Sequence, residues 1–136
     1  MDTNMLEKEI ESQVTKVFPG IDLKQINFCE GGDNSPEGTY VFYKNNKYHI
    51  LFTEKGKIRT HKEYESIDDI LWEVLDIVLF NIAMEYAVKN KEKGRDFRRL
   101  LFAKEIELYA KFGKDFENRK INEINDLLEE NPYVDK

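Results

Sequence analysis

The chain has 136 residues, with 27 acidic against 21 basic side chains and a formal net charge of −6 at pH 7. That length is expected to make one domain, residues 1–136, with a core of its own. The charge repels nucleic acid on average and suits a basic protein partner. A single cysteine, Cys29, excludes an internal disulfide, and the N-terminus has neither the basic nor the apolar region of a signal peptide, so a cytoplasmic protein is expected.

The first predicted element is an amphipathic helix over residues 3–18. Leu6, Ile10, Val14, Val17 and Phe18 form one stripe, and Pro19-Gly20 stops it. Residues 29–38, CEGGDNSPEG, read as a loop. A meander follows, with strands at 39–43, 47–52 and 57–61. Asn45-Asn46 makes the first turn, because Asn tolerates positive φ. Glu54-Lys55-Gly56 fits a turn closed by a glycine bulge. The expected register sets Tyr43 opposite Tyr48, Val41 opposite Ile50 and Phe52 opposite Ile58. The other face carries Tyr40, Phe42, His49 and Leu51, unusually apolar for a side left to solvent.

Ser66 and Asp69 start a second helix in the manner of a capping box, and it runs to about Asn90. This helix is apolar nearly all round, so it is central, and its acidic residues argue against a membrane span. A third helix covers about 97–112 behind Asp96 as N-cap. A fourth covers about 115–130, with Phe116, Ile121, Ile124, Leu127 and Leu128 inward. The predicted fold class is α+β: a three-stranded antiparallel meander packed with four helices, in the order α-βββ-ααα.

Charge is segregated. Residues 63–88 hold seven acidic residues and no Lys or Arg, whereas residues 89–99 hold six basic and two acidic ones. Dipole complementarity at the ends of the second helix accounts for much of this. Arg98 and Arg99 break the pattern, since cations are disfavoured at a helix N-terminus. On a helical wheel Arg98 and Glu105 fall inside the apolar arc. The expectation is therefore a structural ion cluster of Arg98 and Glu105 with Glu85, whose loss would strand a buried charge.

A partner surface is expected where Asp69, Glu73 and Asp76 form a narrow acidic row beside Trp72, with Tyr40 and Phe42 as exposed aromatic anchors on the sheet. Catalytic patterns are missing. Cys29 lies in no nucleophile turn, His49 and His61 alone fall short of a metal site, and Gly31-Gly32-Asp33 is followed by no phosphate-loop spacing. No catalytic residue, metal or cofactor is assigned. A hydrolase built on Glu85, Glu105 and Arg98 would need a cleft at those residues. A nucleic-acid or small-molecule module using the basic 89–99 turn is the alternative reading.

Residues 67–128 resemble the immunity protein 63 family of bacterial polymorphic toxin systems. The likeness is carried by the helix around Trp72, NIAMEYAVKN (81–90), and GRDFRRLLF (94–102) followed by Glu105 and Leu108. With the upstream hairpin it covers roughly the last hundred residues. The resemblance implies a non-enzymatic α+β protein that binds a cognate secreted toxin and neutralises it in the cytoplasm.

Overall fold

The computed structural model describes all residues, Met1–Lys136. The order of elements is α1 (Thr3–Val17), β1 (Ile26–Asn27), β2 (Gly38–Lys44), β3 (Lys47–Glu54), β4 (Lys57–Tyr64), α2 (Ile67–Lys89), α3 (Arg98–Ala110) and α4 (Lys114–Glu130). The fold is α+β with four helices, as expected. The sheet, however, has four strands in the order β1-β2-β3-β4 and is mixed, because β1 pairs with β2 in parallel. Two residues are too short to show any alternation, so β1 left no signal in the sequence.

The chain divides into two compact units, Met1–Val74 and Leu75–Lys136, and α2 runs through the boundary. In the first unit, α1 opens with Asp2, whose Oδ1 accepts the N–H of Met5 at 2.8 Å. Fifteen residues are marginal as an isolated helix. Burial of Leu6, Ile10 and Val14, all fully inaccessible, supplies about 1.5–3 kcal/mol each relative to exposure. Helix α1 lies along β2, where Thr3 Oγ1 accepts the N–H of Tyr43 at 3.1 Å.

The β2–β3 register is the expected one, with Val41 opposite Ile50 and Tyr43 opposite Tyr48. Asn45 and Asn46 form its turn at φ of 54° and 61°, a mirror-image turn matched to strand twist. The β3–β4 register differs from expectation. Ile58 pairs with Thr53 and Phe52 pairs with Thr60, with an irregularity at Phe52/Thr53. Lys55 and Gly56 both have positive φ, 53° and 77°, so the loop is a tight two-residue turn. The extra residue, Arg59, is accommodated further along the strand.

Tyr40 and Phe42 are not an exposed sheet face. They are 5% and 3% accessible and form a buried cluster with Leu51. The loop at 29–37 lies against Tyr40, and Phe42 stacks on His49 with ring centres 4.8 Å apart. The Tyr40 hydroxyl donates to Pro36 O at 2.6 Å, as does Thr53 Oγ1 at 2.8 Å. A Cβ at Gly31 would lie 2.5 Å from the Tyr40 ring, so this backbone approach requires glycine. The polar loop composition concealed its role as a lid on an apolar face.

Helix α2 starts as expected, with Ser66 Oγ accepting the N–H of Asp68 at 3.1 Å. In the second unit α3 packs on α4, and Leu101, Phe102, Leu108, Tyr109 and Ile124 are buried. The chain after α4 turns back on the segment before α3. Lys136 N–H donates to Gly94 O at 2.8 Å, and Val134 N–H to Asp96 Oδ2 at 2.8 Å.

Candidate functional site

The expected cluster of Arg98, Glu105 and Glu85 does not assemble. Arg98 pairs with Asp96 at 2.9 Å, Glu85 with Lys89 at 3.3 Å, and Glu105 with Lys120 at 3.1 Å. The N-cap of α3 is Phe97, one residue beyond the expected Asp96, whose Oδ1 accepts the N–H of Arg98, the first helical residue, at 2.9 Å. The Arg98 guanidinium then reaches the carbonyls of Asn131 and Pro132, at 2.8 and 2.9 Å.

An arginine therefore sits at a helix N-terminus because it collects carbonyls at the end of α4, while Asp96 supplies the anion that the α3 dipole favours. The side-chain hydrogen bond from Arg98, then the Val134 and Arg98 N–H groups, hold the Asp96 carboxyl well below the usual range. Arg99 pairs with Asp135 at 3.0 Å and lies 4.2 Å from the Tyr133 ring centre. The hydrogen bond from Arg99 lowers the Asp135 carboxyl likewise.

The buried charge of this unit lies elsewhere. Lys120 on α4 is 2% accessible and Glu105 on α3 is 4% accessible. The Lys120 ammonium donates to Glu123 at 2.8 Å and to Asp76 at 3.2 Å, besides its contact with Glu105. Tyr109, fully buried, donates its hydroxyl to Asp76 at 3.4 Å. Carboxylates outnumber the ammonium three to one within this cluster.

Burial, the largest influence on Glu105, raises its pKa, and Lys120 opposes that in part. Burial lowers Lys120, but Glu123, Glu105 and Asp76 more than offset it, so the ammonium stays charged. Burial pushes the Tyr109 phenol far up, and Asp76 adds to the effect.

A signal for the pair was present in the sequence. Lys120 lies between Leu127 and Ile124 on the wheel of α4, as Glu105 does inside the arc of α3. Two opposite charges, each centred in an apolar arc, point to each other. Arg98, also inside the arc of α3 and nearer in sequence, competes with Lys120 for that assignment.

The row on α2 is only partly open. Trp72 is buried at 5% accessibility and offers no anchor. Asp69 and Glu73 are half-buried. Glu73 accepts a short hydrogen bond from the Tyr64 hydroxyl, and Lys62 lies 3.4 Å from it. Asp76 remains exposed at 48% of its side chain despite its bond to Lys120. Phe80, one turn along the same row, is 40% accessible. In the sequence Phe80 is indistinguishable from the core residues of the surrounding apolar run.

Four of the six basic residues in the 89–99 turn are ion-paired. Lys89 pairs with Glu85, Arg95 with Glu92, Arg98 with Asp96, and Arg99 with Asp135. No helix is long and apolar enough to cross a membrane.

Residues 44–126 match the family model described as immunity protein 63. The match covers more than half of the chain, and the chain belongs to that family. Comparison with curated proteins and with solved structures gave no match.

Proposed function

We propose that this member of the immunity protein 63 family binds and neutralises a cognate secreted toxin as a stoichiometric inhibitor, without catalysis, in the cytoplasm of a bacterial cell. The family match supports the general role. Because it draws on both compact units, we also take the chain to act as one domain.

One observation carries the choice of surface. The exposed aromatic Phe80 shares a row of α2 with Asp76, whose carboxylate, like that of Glu123, is bound from below by buried Lys120. Lys120 fixes both carboxylates in place, so a basic partner meets an ordered acidic edge and little side-chain entropy is lost on binding. Phe80 supplies apolar area beside it, as an aromatic anchor does at a binding hot spot.

Asp69 and Glu73 extend the acidic row in sequence. Tyr40, Phe42 and Trp72 are buried and take no part. The alternative, a nucleic-acid or small-molecule module on residues 89–99, is weakened by the ion pairs that engage four of the six basic residues of that turn.

The test is co-expression with the toxin-like protein encoded beside this gene, followed by a binding titration. The intact chain is expected to rescue growth and bind one to one. Phe80→Ala is expected to weaken binding by about thirty-fold, or about 2 kcal/mol. Glu123→Lys should slow association most strongly at low salt. Absence of both rescue and binding would remove the toxin-inhibitor reading. Rescue with unchanged affinity in both variants would remove only the surface.

A further inference from the structure

We propose that His49, His61 and Glu63 form a binding site for a divalent zinc-like cation on the β3–β4 ladder. Two histidines alone are too few for such a site. The β3–β4 register adds a carboxylate, because Glu63 stands directly opposite His49 and His61 stands opposite Leu51 on the same face.

His49 is 5% accessible and stacks on Phe42, with ring centres 4.8 Å apart. Its Nε2 lies 2.9 Å from the carbonyl oxygen of Lys44. A carbonyl only accepts, so Nε2 carries a proton, and the tautomer this selects has its lone pair at Nδ1. This contact is the usual outer partner of a metal-ligating histidine, and it fixes both ring orientation and tautomer.

His49 Nδ1 faces His61 Nε2 at 2.9 Å and a Glu63 carboxylate oxygen at 3.8 Å. All three ligand atoms lie within 4.8 Å of one another. Zinc bonds of about 2.0–2.2 Å to nitrogen and oxygen require such ligand atoms to lie roughly 3–4 Å apart in a tetrahedron. The histidine pair needs to open slightly, and Glu63, exposed and only 3.7 Å from Lys47, is free to swing inward. Two imidazoles and one carboxylate are a ligand set suited to Zn²⁺, with the fourth position open to water. Bound there, the ion would tie β4, exposed along nearly its whole length, to the buried strand beside it.

The test uses the intact chain, without a histidine tag and stripped with a chelator, titrated calorimetrically with Zn²⁺ and followed with Co²⁺ absorption. One ion per chain is expected, with a tetrahedral Co²⁺ spectrum and a raised Tm. His61→Ala and Glu63→Gln, both at exposed positions, should each lose at least about tenfold in affinity. Cys29→Ser should bind as the unaltered chain does. Absence of binding, wild-type affinity in both ligand variants, or loss of binding in Cys29→Ser would each overturn the site.

Discussion

Arg98 and Lys120 each place a cation on a helix face dominated by apolar residues, yet the helical unit holds them in opposite ways. Arg98 is half-buried and spreads its donors over Asp96 and two backbone carbonyls beyond α4. Lys120 is enclosed and gathers three carboxylates, of which Glu105 is itself buried. The first arrangement is a latch that water can partly replace. The second leaves an uncompensated charge in the core if either member of the Lys120–Glu105 pair is removed.

The largest effect should therefore come from Lys120. Lys120→Met strands Glu105 and is expected to cost about 3–5 kcal/mol in urea unfolding. The double change Lys120→Met with Glu105→Leu should recover most of that loss, because an apolar pair replaces the buried charges. A double variant no more stable than Lys120→Met would show that packing, not charge, sets the cost.

Next in size is a change in the other unit. Gly31→Ala drives a methyl group into the Tyr40 ring. That ring is fixed by its bond to Pro36, so relaxation is limited and about 1–3 kcal/mol should be lost. Equal stability of variant and parent would mean that the loop does not cover the sheet.

Much of this was legible beforehand, and the exceptions share a cause. Long periodic segments such as Leu6-Ile10-Val14 announced their helices, and Asn45-Asn46 announced its turn, because these signals are local. The exposure of Tyr40 and Phe42 was misjudged because alternation shows that two residues share a face, not what covers it. The partner of Glu105 was misjudged because helical phase gives a direction and no address. Lys120 lies fifteen positions further on, and only the packing of α3 on α4 brings the two together. The metal-like trio is not legible in the sequence because the expected β4 ends at His61, before Glu63.

pH separates the latch from the core by sign. Asp96 and Asp135 have folded pKa values below their usual 3.8. Their stabilisation is present above that value and is lost as pH falls through the lower folded values. Glu105 is raised, so its own contribution improves on acidification. At the alkaline end, Tyr109 and Lys120 are both raised above their usual 10.0 and 10.5, so the unfolded chain releases those protons first and the core weakens above about pH 10. Stability measured from pH 7 to 11 should fall at the upper end in the parent, and less in the Lys120→Met, Glu105→Leu variant.

The smallest effect is local. Asp96→Asn should speed amide hydrogen exchange at Val134, whose N–H it binds directly, while Leu108 and Tyr109 keep their protection. Faster exchange throughout α3, including Leu108 and Tyr109, would instead tie the latch to the core.

A double-mutant cycle on Lys120 and Glu105, read by urea unfolding of the intact chain, puts the distinction between latch and core to its hardest trial. Coupling of about 2 kcal/mol or more is expected for a buried pair in direct contact. Single-variant costs that add to within about 0.3–0.5 kcal/mol would contradict it.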